Sequence, residues 1–136
     1  KKYGEFTLNI PCQEILNKVE IAGFHSGQNK IGMADITYDL GEKVDAPLLD
    51  ECLLGIECRV EHIVEHGDYT NFIATIERRV ICDEMLNEDG SLNSRDFNPI
   101  YFMGDDKERI YRYFNSDTKK LGENMGCSAE DDSICG

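Results

Sequence analysis

Ser26, Gly27 and Lys30 form a short segment whose chemistry suits an anion. Backbone amides at a Ser-Gly turn, the Ser26 hydroxyl and a nearby ammonium group can together bind a phosphate. Ser-Gly turns also occur widely without any ligand, so a plain turn is the alternative that these residues leave open. The segment becomes a candidate phosphate site only in combination with other evidence.

The cysteines and histidines do not have the spacing of a metal site or a disulfide framework. No Cys-x-x-Cys occurs among the six cysteines, so the strong signal for zinc or a thioredoxin-like motif is missing. Cys52 and Cys58 lie in or beside one predicted strand, which would put them about 20 Å apart, too far for a bridge. On the same strand His62 and His66 lie about 13 Å apart and cannot share one ion. We expect reduced, structural thiols and no metal site.

Composition narrows the function classes further. The chain of 136 residues and 15.4 kDa has the length of one domain. Its 14 basic and 27 acidic residues give a net charge of −13, which disfavours nucleic-acid binding and docking on an anionic membrane. No apolar run approaches a membrane span and no signal-peptide pattern is present, so we expect a cytoplasmic protein. Without a Gly-x-Gly-x-x-Gly motif, a Rossmann nucleotide site is not supported.

The elements that position these residues are mostly strands. Residues 5–10 alternate and predict a strand that stops at Pro11, and residues 13–22 predict an amphipathic helix. Short strands are predicted around 48–49, 100–103 and 109–114, with one helical turn between 24 and 39. The chain is therefore β-dominated with one clear helix, closer to a barrel than to an α/β sheet.

A long hairpin is the clearest single element. Residues 54–64 and 72–82 alternate apolar and polar side chains. A two-residue loop is the default for such a hairpin, but it matches the apolar faces poorly. We therefore predict a three-residue loop, 67–69, which places Tyr69 at the tip. The expected cross-strand pairs are Val64–Phe72, Val60–Ile76, Ile56–Val80, Glu57–Arg79, Arg59–Glu77 and Ile63–Ile73.

Several short motifs, taken in order, resemble the flavin reductase-like family of FMN-binding split β-barrels. They are EFTLNIP (5–11), GFHSG (23–27), APL (46–48), EC (51–52), IECRV (56–60), GDYT (67–70) and NPI (98–100), followed by a Tyr-rich closing strand. Each motif is short, and their order and spacing carry the resemblance. The likeness runs from about residue 3 to residue 114.

The resemblance implies an antiparallel, Greek-key-like split barrel that forms a homodimer with FMN near the subunit interface. It implies redox chemistry on that flavin, either reduction by NAD(P)H or electron transfer with a redox partner protein, as in flavoredoxin-like members. The residues implied near the cofactor or interface are Asn9, Ser26, Gly27 and Lys30, with Tyr69 approaching the flavin or nicotinamide face. None of them is expected to be a covalent catalyst.

Two departures from the family pattern shape these expectations. Many reductases of the family carry His where this chain has Tyr69, and tyrosine cannot supply a proton near neutral pH. This favours electron transfer or simple FMN binding over nicotinamide oxidation. Family domains also begin several strands earlier, so we expect a domain over 1–121 that is incomplete at its N-terminus. Residues 122–136, with Cys127 and Cys135 as the most readily oxidised thiols, are expected to form an acidic flexible tail.

Two other function classes stay open. One is a flavin-free split-barrel interaction module without enzymatic activity. The other is an unrelated acidic β-barrel that binds a small ligand.

Overall fold

A long antiparallel hairpin and one additional strand form the main sheet. The computed structural model describes residues 4–25, 29–104, 107–115, 117–119, 121 and 123. Strand β1 (Glu5–Ile10) pairs with β4 (Leu54–His66), which pairs with β5 (Tyr69–Ile81), in the order β1-β4-β5. The predicted first strand and long hairpin are confirmed.

The remaining elements form two small hairpins and a helical segment. In chain order they are a 3-10 turn (Gln13–Ile15), α1 (Leu16–Phe24), α2 (Lys30–Met33), β2 (Tyr38–Leu40), β3 (Pro47–Leu49), a second 3-10 turn (Asp83–Met85), β6 (Tyr101–Gly104) and β7 (Arg109–Arg112). The pairs β2–β3 and β6–β7 are each antiparallel. The helix passes the expected stop at Gly23 by one residue, and β2 lies where only turns and one helical turn were predicted.

The turn of the long hairpin differs from the prediction. It has two residues, Gly67 and Asp68, and Gly67 has a φ of 57°. A glycine with positive φ at the first position of a two-residue turn matches the twist of the strands that it joins. The expected three-residue loop is therefore wrong, and Val64 lies opposite Asn71 rather than Phe72.

Two β-bulges explain why a strict alternation of side chains predicted the wrong register. In the register, β4 carries one extra residue, Glu61, and β5 carries one extra residue, Glu77. A bulge changes which residues share a face of the sheet, because the side chains alternate with a period of two. Val60 and Ile63 therefore share a face although they are three residues apart. The apolar pairs on that face are Cys58–Ile76, Val60–Ala74 and Ile63–Phe72.

The β2–β3 hairpin packs on the main sheet close to Gly55. A Cβ at Gly55 would lie 2.6 Å from Leu48 Cδ2, so the missing side chain permits the close approach. In the described ranges the buried apolar side chains are few, namely Ala34, Val44, Cys52 and Cys58. Much of the apolar surface of this chain is therefore left for other contacts.

The predicted domain boundary near residue 121 stays a prediction. Of the expected tail, only Glu123 lies within the described residues. None of the helices in the described ranges combines the length and the apolar character that a membrane span requires.

Candidate functional site

Asn9 holds two elements together. Its Nδ2 donates to Thr7 Oγ1 and to the Pro47 carbonyl, each at 3.2 Å, and its Oδ1 accepts from the Leu49 amide at 2.9 Å. The side chain therefore ties β1 to both ends of β3. Most of the hydrogen-bonding capacity of the Asn9 side chain is therefore used within the chain. Its predicted place near a cofactor stays a prediction.

Glu57 holds the other end of the β2–β3 hairpin. Its side chain is 0% exposed. Oε2 accepts from the Lys43 amide at 2.6 Å and from the Val44 amide at 3.1 Å, while Arg78 Nη1 donates to Oε1 at 3.0 Å. A Cβ at Gly41 would lie only 2.7 Å from Oε2. The β2–β3 loop is thus folded around one buried carboxylate.

The electrostatics of Glu57 follow from these contacts. Desolvation by burial raises the pKa of the carboxyl group, but hydrogen bonds from Lys43, Arg78, Val44 and Glu42 outweigh it, so the net pKa is lowered. The sequence analysis paired Glu57 with Arg79, whereas the register places it opposite Arg78. The signal that could have identified it is the pair of adjacent arginines on the facing strand.

A cleft of about 530 Å³ lies between the β2–β3 hairpin and the strands β4 and β5. Its one basic side chain, Arg78, is paired with Glu42 at 2.9 Å and with Glu57 at 3.0 Å. Asp39 and Asp50 also line it. Because the guanidinium charge is already matched, this cleft is acidic and does not suit a phosphate group.

Lys30 is the first residue of α2 and is half-buried. The segment after α2 is fixed by Lys18, whose Nζ donates to the Asp35 carbonyl and to Glu51 Oε1, both at 2.7 Å. Glu51 lies just before β4. Lys30 thus belongs to the end of the molecule where β4 begins, the same end as Asn9.

Ser26 and Gly27 lie outside the described residues. Their expected part in a phosphate-binding turn stays a prediction. The chain on either side is described, and Lys30 supplies a basic group near this segment.

A second cleft, of about 390 Å³, lies between α1 and the β6–β7 hairpin. Phe24, Phe102 and Tyr111 line it, with Arg109 as its basic residue. The Phe102 and Tyr111 rings meet edge to face at 5.7 Å. Aromatic walls beside a guanidinium group suit a planar ligand with an anionic substituent. Within the described ranges, no three side chains of His, Cys, Asp or Glu are grouped to bind a metal ion.

Tyr69 lies at the opposite end of the sheet from Asn9. It is the first residue of β5, directly after the turn, and is 76% exposed. Asn9 pairs with Gly55 and Tyr69 pairs with His66. At roughly 3.3 Å per residue along β4, these two levels are about 36 Å apart. The predicted site residues therefore do not meet within one copy of the chain.

The outer half of the hairpin, residues 60–76, is here called the arm. Pairing with β1 ends at Arg59, so in the described part of the chain the arm consists of two strands only. A two-stranded hairpin is marginally stable alone in water, and clustered exposed apolar side chains mark interaction surfaces. The large exposed apolar side chains of the arm are Ile63, Val64, Tyr69, Phe72, Ile73 and Ile76.

Comparison with protein families decides the identity of the domain. The model of the flavin reductase like domain matches residues 1–119. The chain belongs to this family. The resemblance seen in its short motifs is thereby confirmed.

Individual relatives agree with this assignment. An uncharacterized protein of Pyrococcus abyssi is 38% identical over 76 residues, which are 56% of this chain and 44% of that protein. The flavoredoxin of Desulfovibrio vulgaris (Miyazaki F) superposes with a TM-score of 0.77 at 30% identity, over 88% of this chain and 64% of that one. A putative flavin reductase with a split barrel domain from Shewanella frigidimarina gives 0.69 at 17% identity, over 87% and 60%.

These matches establish the fold of the chain. The chain has the split-barrel fold, mostly strand with one main helix. Membership of the family supports a flavin-related redox function and a flavin cofactor. The matched region spans less than half of the curated relative and under two thirds of the flavoredoxin.

Proposed function

We propose that this chain is a homodimeric flavoprotein that binds FMN between its subunits and transfers electrons to or from a redox partner protein. The observation that carries the proposal is the separation of the candidate site residues along an exposed apolar arm. Asn9 and Lys30 lie at one end of the hairpin, and Tyr69 lies about 36 Å away at the other.

A two-fold dimer brings these residues together. In such a dimer the same surface of both copies forms the interface. If the two long hairpins pack side by side along their whole length and in opposite directions, the tip of each arm reaches the inner end of its partner's hairpin. The arm then buries its apolar side chains, and Tyr69 of the partner subunit lies near Lys30.

The chemistry of the two ends suits the parts of FMN. An aromatic ring such as that of Tyr69 can stack on a planar ring system, and the ammonium group of Lys30 can pair with a phosphate. The aromatic cleft beside α1 lies at the same helical segment that leads to Lys30. Bound FMN would supply the redox step, while this chain binds the flavin and orients it.

Electron transfer with a protein fits this chain better than NAD(P)H-dependent flavin reduction. Tyr69 occupies the position where many reductases carry His, and a phenol does not donate a proton near neutral pH. NAD(P)H remains the alternative electron donor. The free thiols Cys12, Cys52, Cys58 and Cys82 suit a reducing compartment, which supports a cytoplasmic location.

Flavin titration tests the binding role of Tyr69. FMN fluorescence quenching should give saturable binding to the wild-type protein, and Tyr69→Ala should weaken it about tenfold through loss of ring stacking. Tyr38→Ala is the matched control, because Tyr38 is also an exposed tyrosine at the first residue of a strand. No quenching by the wild-type protein would overturn the proposal and favour the flavin-free interaction module.

Mixed dimers test whether the site is shared. Lys30→Ala and Tyr69→Ala each damage both sites of a homodimer. A mixed dimer of the two variants contains one intact site if Lys30 and Tyr69 of different subunits meet. Tight FMN binding at half of the sites is then restored. If both groups acted within one subunit, the mixed dimer would contain no intact site and would bind as weakly as the variants.

A further inference from the structure

The face of the β6–β7 hairpin that turns towards α1 is built around a folded aromatic side chain. Phe102 and Gly104 share this face of β6. Across the hairpin they pair with Tyr111 and Arg109. A Cβ at Gly104 would lie 2.8 Å from Phe102 Cε1, so the missing side chain lets the ring lie back along its own strand. The hairpin therefore presents an aromatic wall with a guanidinium group beside it.

The helix α1 supplies the opposite wall of this cleft. Gly23 and Phe24 line it together with Val19 and Glu20, which lie one helical turn earlier. A Cβ at Gly23 would meet no atom within 4 Å, so this part of the wall borders open space. The exposed fraction is 74% for Phe24 and 59% for Phe102. Two exposed rings on facing walls, with space between them, suit a planar guest.

Arg109 gives the cleft a positive charge that no carboxylate matches. It forms no ion pair with the residues that the structure describes, whereas Arg78 in the acidic cleft is paired with both Glu42 and Glu57. A guanidinium group presents parallel N–H donors that fit the oxygens of a carboxylate, and it also tolerates an aromatic ring beside it. The charge of Arg109 therefore favours an anionic guest.

Glu20 limits the charge that such a guest can carry. It lines the same cleft, so one guanidinium group and one carboxylate leave the cleft close to neutral. The whole chain has a net charge of -13, which repels each further negative charge on a ligand. A monoanion therefore suits the cleft better than a dianion such as a phosphate monoester.

We propose that this cleft binds a small planar aromatic monocarboxylate, with its ring between Phe24 and Phe102 and its carboxylate on Arg109. The cleft volume of about 390 Å³ is enough for fused aromatic rings. None of the described residues that line it belongs to the proposed flavin site of Asn9, Lys30 and Tyr69. The ligand is thus additional to FMN, and its binding does not depend on the flavin.

Ligand-observed NMR with 2-naphthoate tests this proposal on the full chain. The protein should broaden the naphthoate signals in a saturable way, with a dissociation constant on the order of 1 mM or tighter. The uncharged alcohol 2-naphthylmethanol should bind about tenfold more weakly, because it lacks the charge-assisted hydrogen bonds to Arg109. The dianion 2-naphthyl phosphate should also bind more weakly than the carboxylate. Equal binding of the acid and the alcohol would overturn the proposal.

Two arginine variants test the role of the guanidinium group. Arg109→Gln should weaken naphthoate binding about tenfold and leave the binding of 2-naphthylmethanol unchanged. Arg112→Gln is the matched control, because Arg112 is also an exposed arginine of β7 but lies on the other face of the hairpin, opposite Tyr101. Equal losses in the two variants would indicate unspecific attraction of an anion and would rule out the assigned site.

A larger side chain at Gly23 tests the location of the ligand. Gly23→Leu should fill the space between the walls and abolish detectable binding, whereas Gly23→Ala should change the affinity by no more than about a factor of two. Both residues have a higher helix propensity than glycine, so the fold should be kept, and circular dichroism checks this. Unchanged naphthoate affinity in Gly23→Leu would place the ligand elsewhere and contradict the proposal.

Saturating FMN separates this cleft from the flavin site. It should leave the naphthoate affinity of the wild-type protein unchanged, and competitive displacement would make the cleft part of the flavin site and overturn the proposal. A wild-type protein that binds no naphthoate would mean that another surface, such as a second copy, covers the cleft, and would equally overturn it. A protein that binds naphthoate but not FMN would refute the proposed function alone, so the two failures are distinguishable.

Discussion

The two halves of the long hairpin share one pairing pattern and have opposite surroundings. At the inner half, β1 pairs with β4 while the β2–β3 hairpin packs against them, and Glu57 is completely buried. At the outer half, the arm, Ile63 is 44% exposed and Ile73 is 53% exposed. The inner half is held by contacts within the chain, whereas the arm presents apolar surface with few such contacts.

The comparison shows that different interactions stabilise the two halves. The inner half uses hydrogen bonds to buried polar groups, which fix one arrangement of the β2–β3 hairpin because an unsatisfied donor or acceptor is costly. The arm uses apolar area, which any complementary surface can cover. We therefore expect changes in the inner half to alter folding stability and changes in the arm to alter assembly.

Replacing Glu57 with alanine should have the largest effect. The change removes the acceptor of the Lys43 and Val44 amides and leaves Arg78 with Glu42 as its other carboxylate partner. We expect a loss of about 2–4 kcal/mol in the free energy of unfolding, because buried donors lose their partner. Urea denaturation followed by circular dichroism measures it.

The matched control is Glu61→Ala. Glu61 lies on the same strand in the β4 bulge, and its carboxylate is exposed, accepting from Thr75 at 3.2 Å. Its replacement should change stability by less than about 1 kcal/mol. Equal losses for the two variants would contradict the assignment of Glu57 as the residue that organises the inner half.

Replacing Ile63 with aspartate should have the next largest effect, and on assembly rather than on folding. A charge in the middle of the apolar face of the arm should weaken the proposed dimer by about 2 kcal/mol, or about 30-fold in the dissociation constant. Light scattering over a range of protein concentrations measures this change. Ile110→Asp is the control, since Ile110 has a similar exposure but lies on β7.

The outcome also separates two views of the arm. If Ile63→Asp unfolds the protein while Ile110→Asp does not, the arm is part of the folding core. If neither variant changes the molecular mass, the apolar face of the arm is not the dimer surface, and the shared flavin site loses its structural basis.

The local sequence pattern predicted an element correctly where a single physical rule determines the structure of that element. Residues 5–10 form the expected strand because β-rich alternation ends at a proline. The helical segment starts at the predicted residue 13, but as a 3-10 turn (Gln13–Ile15) that precedes α1 at Leu16. The hairpin itself was also predictable. Its register was not, because compensating bulges at Glu61 and Glu77 break the period of two on which the reasoning rested. The adjacent apolar residues Ile63 and Val64 were the visible sign of that break.

The candidate site was less predictable than the fold. Glu57 went unnoticed because its partners, the Lys43 and Val44 amides, lie in a loop that no local pattern connects to its strand. The family resemblance named Asn9 and Tyr69 as candidate site residues, and their part in a cofactor site stays a prediction. It did not show that they lie about 36 Å apart, since distance along a sheet emerges only from the pairing of its strands.

The smallest effect is expected from acid, and it isolates the charge on Glu57. The carboxyl group has a folded-state pKa below its ordinary value of 4.5, so its charged form contributes stability above that pH. This contribution is lost as the pH falls through the lower folded-state value. The difference in unfolding free energy between the wild-type protein and Glu57→Gln, about 1 kcal/mol, should therefore be constant from neutral pH to about pH 5 and shrink below it.

The pKa values of Glu14 and Asp89 are also lowered by hydrogen bonds, but both proteins contain these groups, so their contributions cancel in the difference. A difference that persisted unchanged in acid would mean that the shape of Glu57, rather than its charge, holds the inner half of the hairpin.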